Sequence, residues 1–323
     1  MSGSPSQVSR RSLPSTREAG ASRKTVIIAL VANALVAVAK LIGGLISGST
    51  ALLAEAAHSV ADTTNQGFLL GSIALAAREP SERHPFGHGN QRFLWTFMAA
   101  VGMFVAGAVF AVGYGVIELL SGSKEEGGFA AAWITLAIAL VAEGISWLRA
   151  LRQTRGEARQ AGRPVAQYVR ESRDPSVKMV LFEDTAALVG IVIAAVGIAL
   201  HQITGAAYWD PIASIFIGVL LIAVAARMAT DTGRLLVGAA ARPDEVAAIE
   251  RVLDDNADVA GVLELLTMVL GPNALLVGAR VDLADGVVSE RLERAMSDLD
   301  REIRAAVPDV TEVFLDPTPA RGD

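Results

Sequence analysis

TALLAEAAHSVADTTNQGFLLGSIALAA, residues 50–77, decides how this chain is read. A helix rises about 1.5 Å per residue, so roughly 20 mostly apolar residues cross the hydrocarbon of a bilayer. This stretch is long enough, yet it carries Glu55, His58 and Asp62. Residues four apart on a helix share a face, so His58 and Asp62 present an imidazole and a carboxylate to one point, with Glu55 one turn earlier on the same side. A charged side chain held mid-membrane costs about 2.5–3.5 kcal/mol on insertion scales. Several of them together point to a site for a transported ion.

The flanking sequence repeats the apolar length. The chain is 52% hydrophobic with mean hydropathy +0.44, and its apolar residues fall in long blocks between charged stretches, which is the distribution of a membrane protein. Six spans are expected: Thr25–Ile46, Thr50–Ala77, Arg92–Leu120, Phe129–Leu151, Ser176–His201 and Trp209–Asp231. Residues 1–24, rich in Ser, Arg and Pro and without an apolar core, read as a disordered cytoplasmic tail rather than a cleaved signal. Cysteine is absent, so a metal must be held by nitrogen and oxygen ligands. The net charge of −6 gives no reason to invoke nucleic acid.

Cations set the orientation. Arg10, Arg11, Arg17, Arg23 and Lys24 precede span one, Arg78 and Arg83 follow span two, and seven arginines from Arg149 to Arg173 follow span four. The opposite side shows only Lys124, beside Glu125 and Glu126. The positive-inside rule therefore puts both termini in the cytoplasm. In the loop after span four, Ala166 and Val169 among polar residues fit either a short amphipathic surface helix or a solvated basic linker.

Residues 25–231 thus form the transport domain, 232–241 a linker and 242–323 a soluble domain. There Asp244–Asp255 and Val288–Ala306 read as helices, and Val259–Leu270, Ala274–Leu283 and Val310–Leu315 as strands, with Gly271-Pro272-Asn273 as the turn between the first two strands. The order αββαβ predicts a small sheet with helices on one face. The fold class is a six-helix membrane bundle plus a cytoplasmic α+β C-terminal domain.

Span five carries Glu183 and Asp184. Span two enters from outside, which puts Asp62 roughly 18 Å deep; span five enters from inside, which puts Asp184 roughly 12 Å up, and in a core about 30 Å thick these levels coincide. Asn33 on span one falls at a similar height. Imidazole and carboxylates meeting near the midplane make a site suited to zinc and its divalent neighbours. Glu55 also fits a place near the outer interface, and Lys40 and Glu143 fit a structural ion pair or snorkelling.

Gly48-Ser-Thr-Ala-Leu-Leu-Ala-Glu-Ala-Ala-His-Ser-Val-Ala-Asp62, His84-Pro-Phe-Gly-His-Gly89, Leu181-Phe-Glu-Asp-Thr-Ala-Ala187 and Trp209-Asp-Pro-Ile-Ala-Ser214 resemble the cation diffusion facilitator family of divalent-metal/proton antiporters. The resemblance runs from Thr25 to Pro317. It implies a homodimer that exports metal from the cytosol against proton inflow. The family's transport site matches His58, Asp62 and Asp184, but its first span-five ligand falls on Val180. Glu183 is the natural substitute, with Asn33 or a water as other candidates for completing the shell. The Leu-Phe-Glu-Asp form and the long Arg-rich loop look like the branch that includes mitochondrial-type zinc transporters. His84 and His88 match a second, loop-borne metal position. The soluble domain holds no histidine, so the His-rich zinc site of some members cannot be built there.

The expected function is proton-coupled export of a divalent cation by alternating access, with no prosthetic group and no enzymatic activity. Zinc is the first choice of cargo, and manganese, iron, cobalt and nickel are open alternatives. His58 suits proton exchange because an imidazole titrates near about 6.5. A transport-inactive scaffold with a degenerate site is the alternative that Val180 suggests. The Ala/Arg-rich composition leads to a bacterial plasma (inner) membrane as the expected location.

Overall fold

A computed structural model describes residues 16–319 except 77, 79, 123–127 and 285–288. Its first helix, α1, covers Thr16–Ser47. Residues 16–24, expected in a disordered tail, are therefore helical, because Arg17, Glu18, Ala19, Ala21, Arg23 and Lys24 are good helix formers that carry the helix beyond its apolar part. Residues 1–15 of that tail, and the charges at 124–126, lie outside the described residues.

Helix α2, Thr50–Ala76, begins at a defined corner. Gly48 has φ +70°, a conformation that favours glycine. Ser49 Oγ then accepts the Leu52 N–H at 3.1 Å, and the first turn is held from across the bundle, where Asp210 accepts the Ala51 N–H at 3.0 Å and the Ser49 hydroxyl at 2.8 Å. Donors that every helix start leaves unsatisfied are thereby met inside the protein.

The third span is interrupted. Helix α3, Asn90–Met103, passes into a π-helical stretch, Phe104–Val109, and continues as α4, Phe110–Ser121. Helix α5 covers Phe129–Gln160 and α6 covers Val165–Glu171, so of the two readings open for that loop the helix is the one present. Helices α7, Pro175–Thr204, and α8, Trp209–Val237, complete the bundle. Among the described residues, five helical stretches are long and apolar enough to cross a membrane. The sixth long helix is α2, whose polar residues lower its hydropathy.

Helix α2 packs against α1, α3, α7 and α8. Small residues let the backbones close up: a Cβ on Gly115 would fall 2.9 Å from the Pro211 carbonyl, and one on Gly218 2.9 Å from the Val112 nitrogen. Leu52, Leu136, Ile191, Ile217 and Leu221 fill the centre. Val31, Leu35, Val105, Val141, Val192 and Phe216 are exposed on the outside, the apolar coat of an integral membrane protein.

Beyond the bundle come α9 (Pro243–Asp254), β1 (Val259–Gly271), β2 (Ala274–Leu283), α10 (Ser289–Ala306) and β3 (Val310–Pro317), the expected αββαβ order. Strand β2 lies in the middle, antiparallel to β1 and parallel to β3. Its alternate residues Leu275, Val277, Ala279 and Val281 are buried with Ile249 and Leu253 of α9 and Leu299 and Ile303 of α10, as the period of two requires.

This domain is joined to the bundle. Phe93 of α3, fully buried, belongs to the same apolar core as those strands. Arg173, in the loop before α7, pairs with Glu245 of α9 and lies 3.7 Å from Asp309, while Arg92 pairs with Asp174 at 2.7 Å. Burial first, and then the charge of Arg242, pushes Arg173 down to about 10, so it remains a cation at neutral pH.

Candidate metal centre

Helices α2 and α7 pack side by side. Between them lies a cavity of about 20 Å³, lined by Asp62, Asn65, Gln66, Met179, Val180, Glu183 and Asp184. Asp62 accepts the Asn33 amide at 2.8 Å from α1, and Asp184 accepts the Ser146 hydroxyl at 3.0 Å from α5. Glu183 accepts the Asn65 amide and lines the same cavity as Asp62. The three acids are all buried, with exposures of 8% for Asp62, 4% for Glu183 and 5% for Asp184.

The structure thus brings Asp62, Glu183 and Asp184 to one small cavity, with Asn33 bonded to it from behind. Glu183, about 100° around the helix from Asp184, still reaches α2 because the cavity wraps that side of α7. His58 does not line the cavity. It is 2% exposed, its Nδ1 has no hydrogen-bond partner, and its backbone faces the π-helical stretch, where the Cβ position of Gly107 would lie 3.8 Å from the His58 Cα. Among the described residues no three His, Asp or Glu side chains are grouped as a ready metal cage.

Glu55 goes elsewhere. Lys40 of α1 bonds Glu55 at 3.0 Å and Glu143 of α5 at 3.3 Å, with Lys40 and Glu55 fully buried. The expected Lys40–Glu143 ion pair is present, and Glu55 joins it rather than the outer interface. In the loop after α2, the His84 and His88 rings stand 4.5 Å apart, on a turn tied by a Ser81–His84 bridge rather than on a helix.

Val180 has an unexpected place. It lines the small cavity and also a larger one of about 420 Å³, whose walls include Arg92, Thr154, Glu157, Arg173, Asp174 and Asp309. The residue standing where a ligand is expected is the apolar wall between the acids and a chamber at the junction with the soluble domain. Asn65, Gln66 and Ser146 were missed by sequence reasoning, although Asn65 and Gln66 follow Asp62 at the three- and four-residue spacing that would have found them.

Residues 26–237 match the cation efflux transmembrane domain. The chain belongs to the cation efflux family. It is 33% identical over 296 residues to the proton-coupled zinc antiporter SLC30A9, mitochondrial, of Homo sapiens, covering 90% of this chain and 52% of that protein. Metal tolerance protein C4 of Arabidopsis thaliana is 31% identical over 274 residues, 84% of this chain and 60% of the relative. The manganese efflux system protein MneP of Bacillus subtilis (strain 168) is 39% identical over 69 residues, 21% of this chain and 23% of its own. The chain spans about half the length of the curated antiporters it matches.

These matches bear out the resemblance to the cation diffusion facilitators and to their mitochondrial-type zinc branch, a family of transporters rather than enzymes. They overturn the expected bacterial plasma membrane: the zinc antiporters that match most of this chain are named as mitochondrial proteins. Composition misled there because Ala and Arg are good helix formers in any membrane protein, so their abundance does not identify the bilayer. The integral-membrane part of the expectation stands on the apolar helices.

Proposed function

We propose that this cation efflux protein exchanges a divalent metal ion for protons, carrying the metal away from the side that holds its soluble domain, with zinc as the cargo that its relatives' names support. One observation carries the reading: Asp62, Glu183 and Asp184, from two helices, surround one buried cavity. Carboxylates packed this closely repel one another unless a proton or a cation sits between them. Protons and a dication therefore compete for the same oxygens, which is the chemical content of antiport.

In this reading the larger chamber at Val180, on the side of the soluble domain, is the access route to the acids, its carboxylates Glu157, Asp174 and Asp309 standing among Arg92, Arg173 and Arg242. Metal passes Val180, displaces the protons shared by the acids and is held by them. A small movement of α2 along α7 brings His58 and its unpartnered Nδ1 to the ion as the outer path opens, and protons entering from that side release the cargo. Such rocking about a midplane site is alternating access. The protein acts as a homodimer in which the sheet face opposite α9 and α10, with Leu266 60% and Phe314 54% exposed, is covered by the second copy.

The test is flux. Purified protein in vesicles holding a zinc-sensitive dye, under an imposed pH gradient, is expected to move zinc at a rate that collapses with the gradient and falls about tenfold or more in Asp62→Ala and Asp184→Ala. Vesicles of the parent protein that move no metal would sink the reading and leave the scaffold alternative.

A further inference from the structure

Two amide oxygens at the acid cavity lack partners. Asn65 is 2% exposed and gives an Nδ2 hydrogen to Glu183, while its Oδ1 is buried and accepts no hydrogen bond. Gln66 Oε1 is likewise buried and unpartnered. Both residues line the 20 Å³ cavity with Asp62, Glu183 and Asp184. A buried carbonyl oxygen without a donor loses the hydrogen bond it had in water, and native proteins leave few such atoms unexplained. An amide oxygen has no proton of its own to offer, so what satisfies the pair is a proton held on the neighbouring acids, another donor, or a cation that takes its place.

We propose that Asn65 and Gln66 are ligands of the transported ion through their amide oxygens, replacing the donor lost at Val180. The proposal rests on the antiport reading above and names the rest of its site. Drawn together around an ion, the three carboxylates and two amide carbonyls that line the cavity would make an all-oxygen shell, with the imidazole of His58 outside it. Such a shell takes hard divalent cations of the manganese class as well as zinc, since carboxylate and carbonyl oxygens suit the former and imidazole the latter. The spacing supports it: Asp62, Asn65 and Gln66 stand at i, i+3 and i+4 and so share one face of α2.

The experiment is a manganese titration of the full chain in lipid nanodiscs, following the loss of the free aqueous Mn²⁺ signal by electron paramagnetic resonance, repeated with zinc as competitor. Asn65→Ala and Gln66→Leu should each weaken manganese binding threefold or more, with thermal unfolding unchanged. Asn65→Asp separates ligation from mere support of Glu183. It keeps an oxygen at the cavity but cannot donate to Glu183, so retained binding marks a ligand and binding lost as in the alanine variant marks a prop. Changes under threefold in both Asn65→Ala and Gln66→Leu, or loss in Asn65→Asp equal to that in Asn65→Ala, overturn the proposal. If the parent binds metal, loses it in Asp62→Ala and keeps it in the amide variants, this inference alone fails. If the parent binds neither ion, the antiport reading fails with it.

Discussion

Lys40 is the residue on which the bundle's electrostatics turn. It is fully buried between Glu55 and Glu143, and removing one member of a buried ion network strands the others in a medium that cannot solvate them. Lys40→Met should therefore destabilise the protein by about 3–5 kcal/mol, seen as a lower unfolding temperature in detergent, and adding Glu55→Gln should recover much of the loss. At this scale the sequence was partly legible. The depths of Asp62 and Asp184 anticipated that α2 and α7 meet at one cavity, because helical rise and bilayer thickness are fixed quantities, whereas the four-residue spacing of His58 from Asp62 did not bring His58 to it. Glu55 was not legible: it shares the His58 side of α2, and only the position of Lys40 on the neighbouring helix decides that it pairs there rather than lining the acid cavity. Asn65 and Gln66 were hidden for a plainer reason, since amides inside a span pass for ordinary interhelical glue.

Helix limits in the membrane followed from apolar length. The Phe129, Trp209 and Thr50 starts coincide with the expected ones because each opens a long apolar run. Two features had no such signal. The lower end of α1 is made of good helix formers without an apolar stripe, and the π-helical stretch Phe104–Val109 has a composition any α-helix could carry; its single extra residue per turn is chosen by packing on α8. The contact between α4 and α8 invites a direct test. A Cβ on Gly115 meets a backbone carbonyl and the Ile215 side chain at 2.9 Å, and the backbone cannot yield as a side-chain tip can. Gly115→Val should cost about 1–3 kcal/mol, with a matching drop in melting temperature and a loss of transport that the neighbouring change Gly113→Val, whose Cβ position meets nothing within 4 Å, does not reproduce.

Across the whole molecule, the αββαβ order of the soluble domain was readable from alternation and turn residues, whereas its attachment to the bundle was not. Phe93 looks like one more apolar residue of a span; the structure instead places it in the interior of the soluble domain. Phe93→Ala should remove about 3–5 kcal/mol from that interior, and hydrogen exchange should report it as faster exchange in α9, β1 and β2 while the amides of α5 stay protected. The shared aromatic ring has a practical corollary. Severing the chain at Gly238, the natural-looking place to cut, yields neither a complete bundle nor a complete soluble domain: the first fragment carries a naked phenyl group into water, and the second is left with a hole where that group belonged.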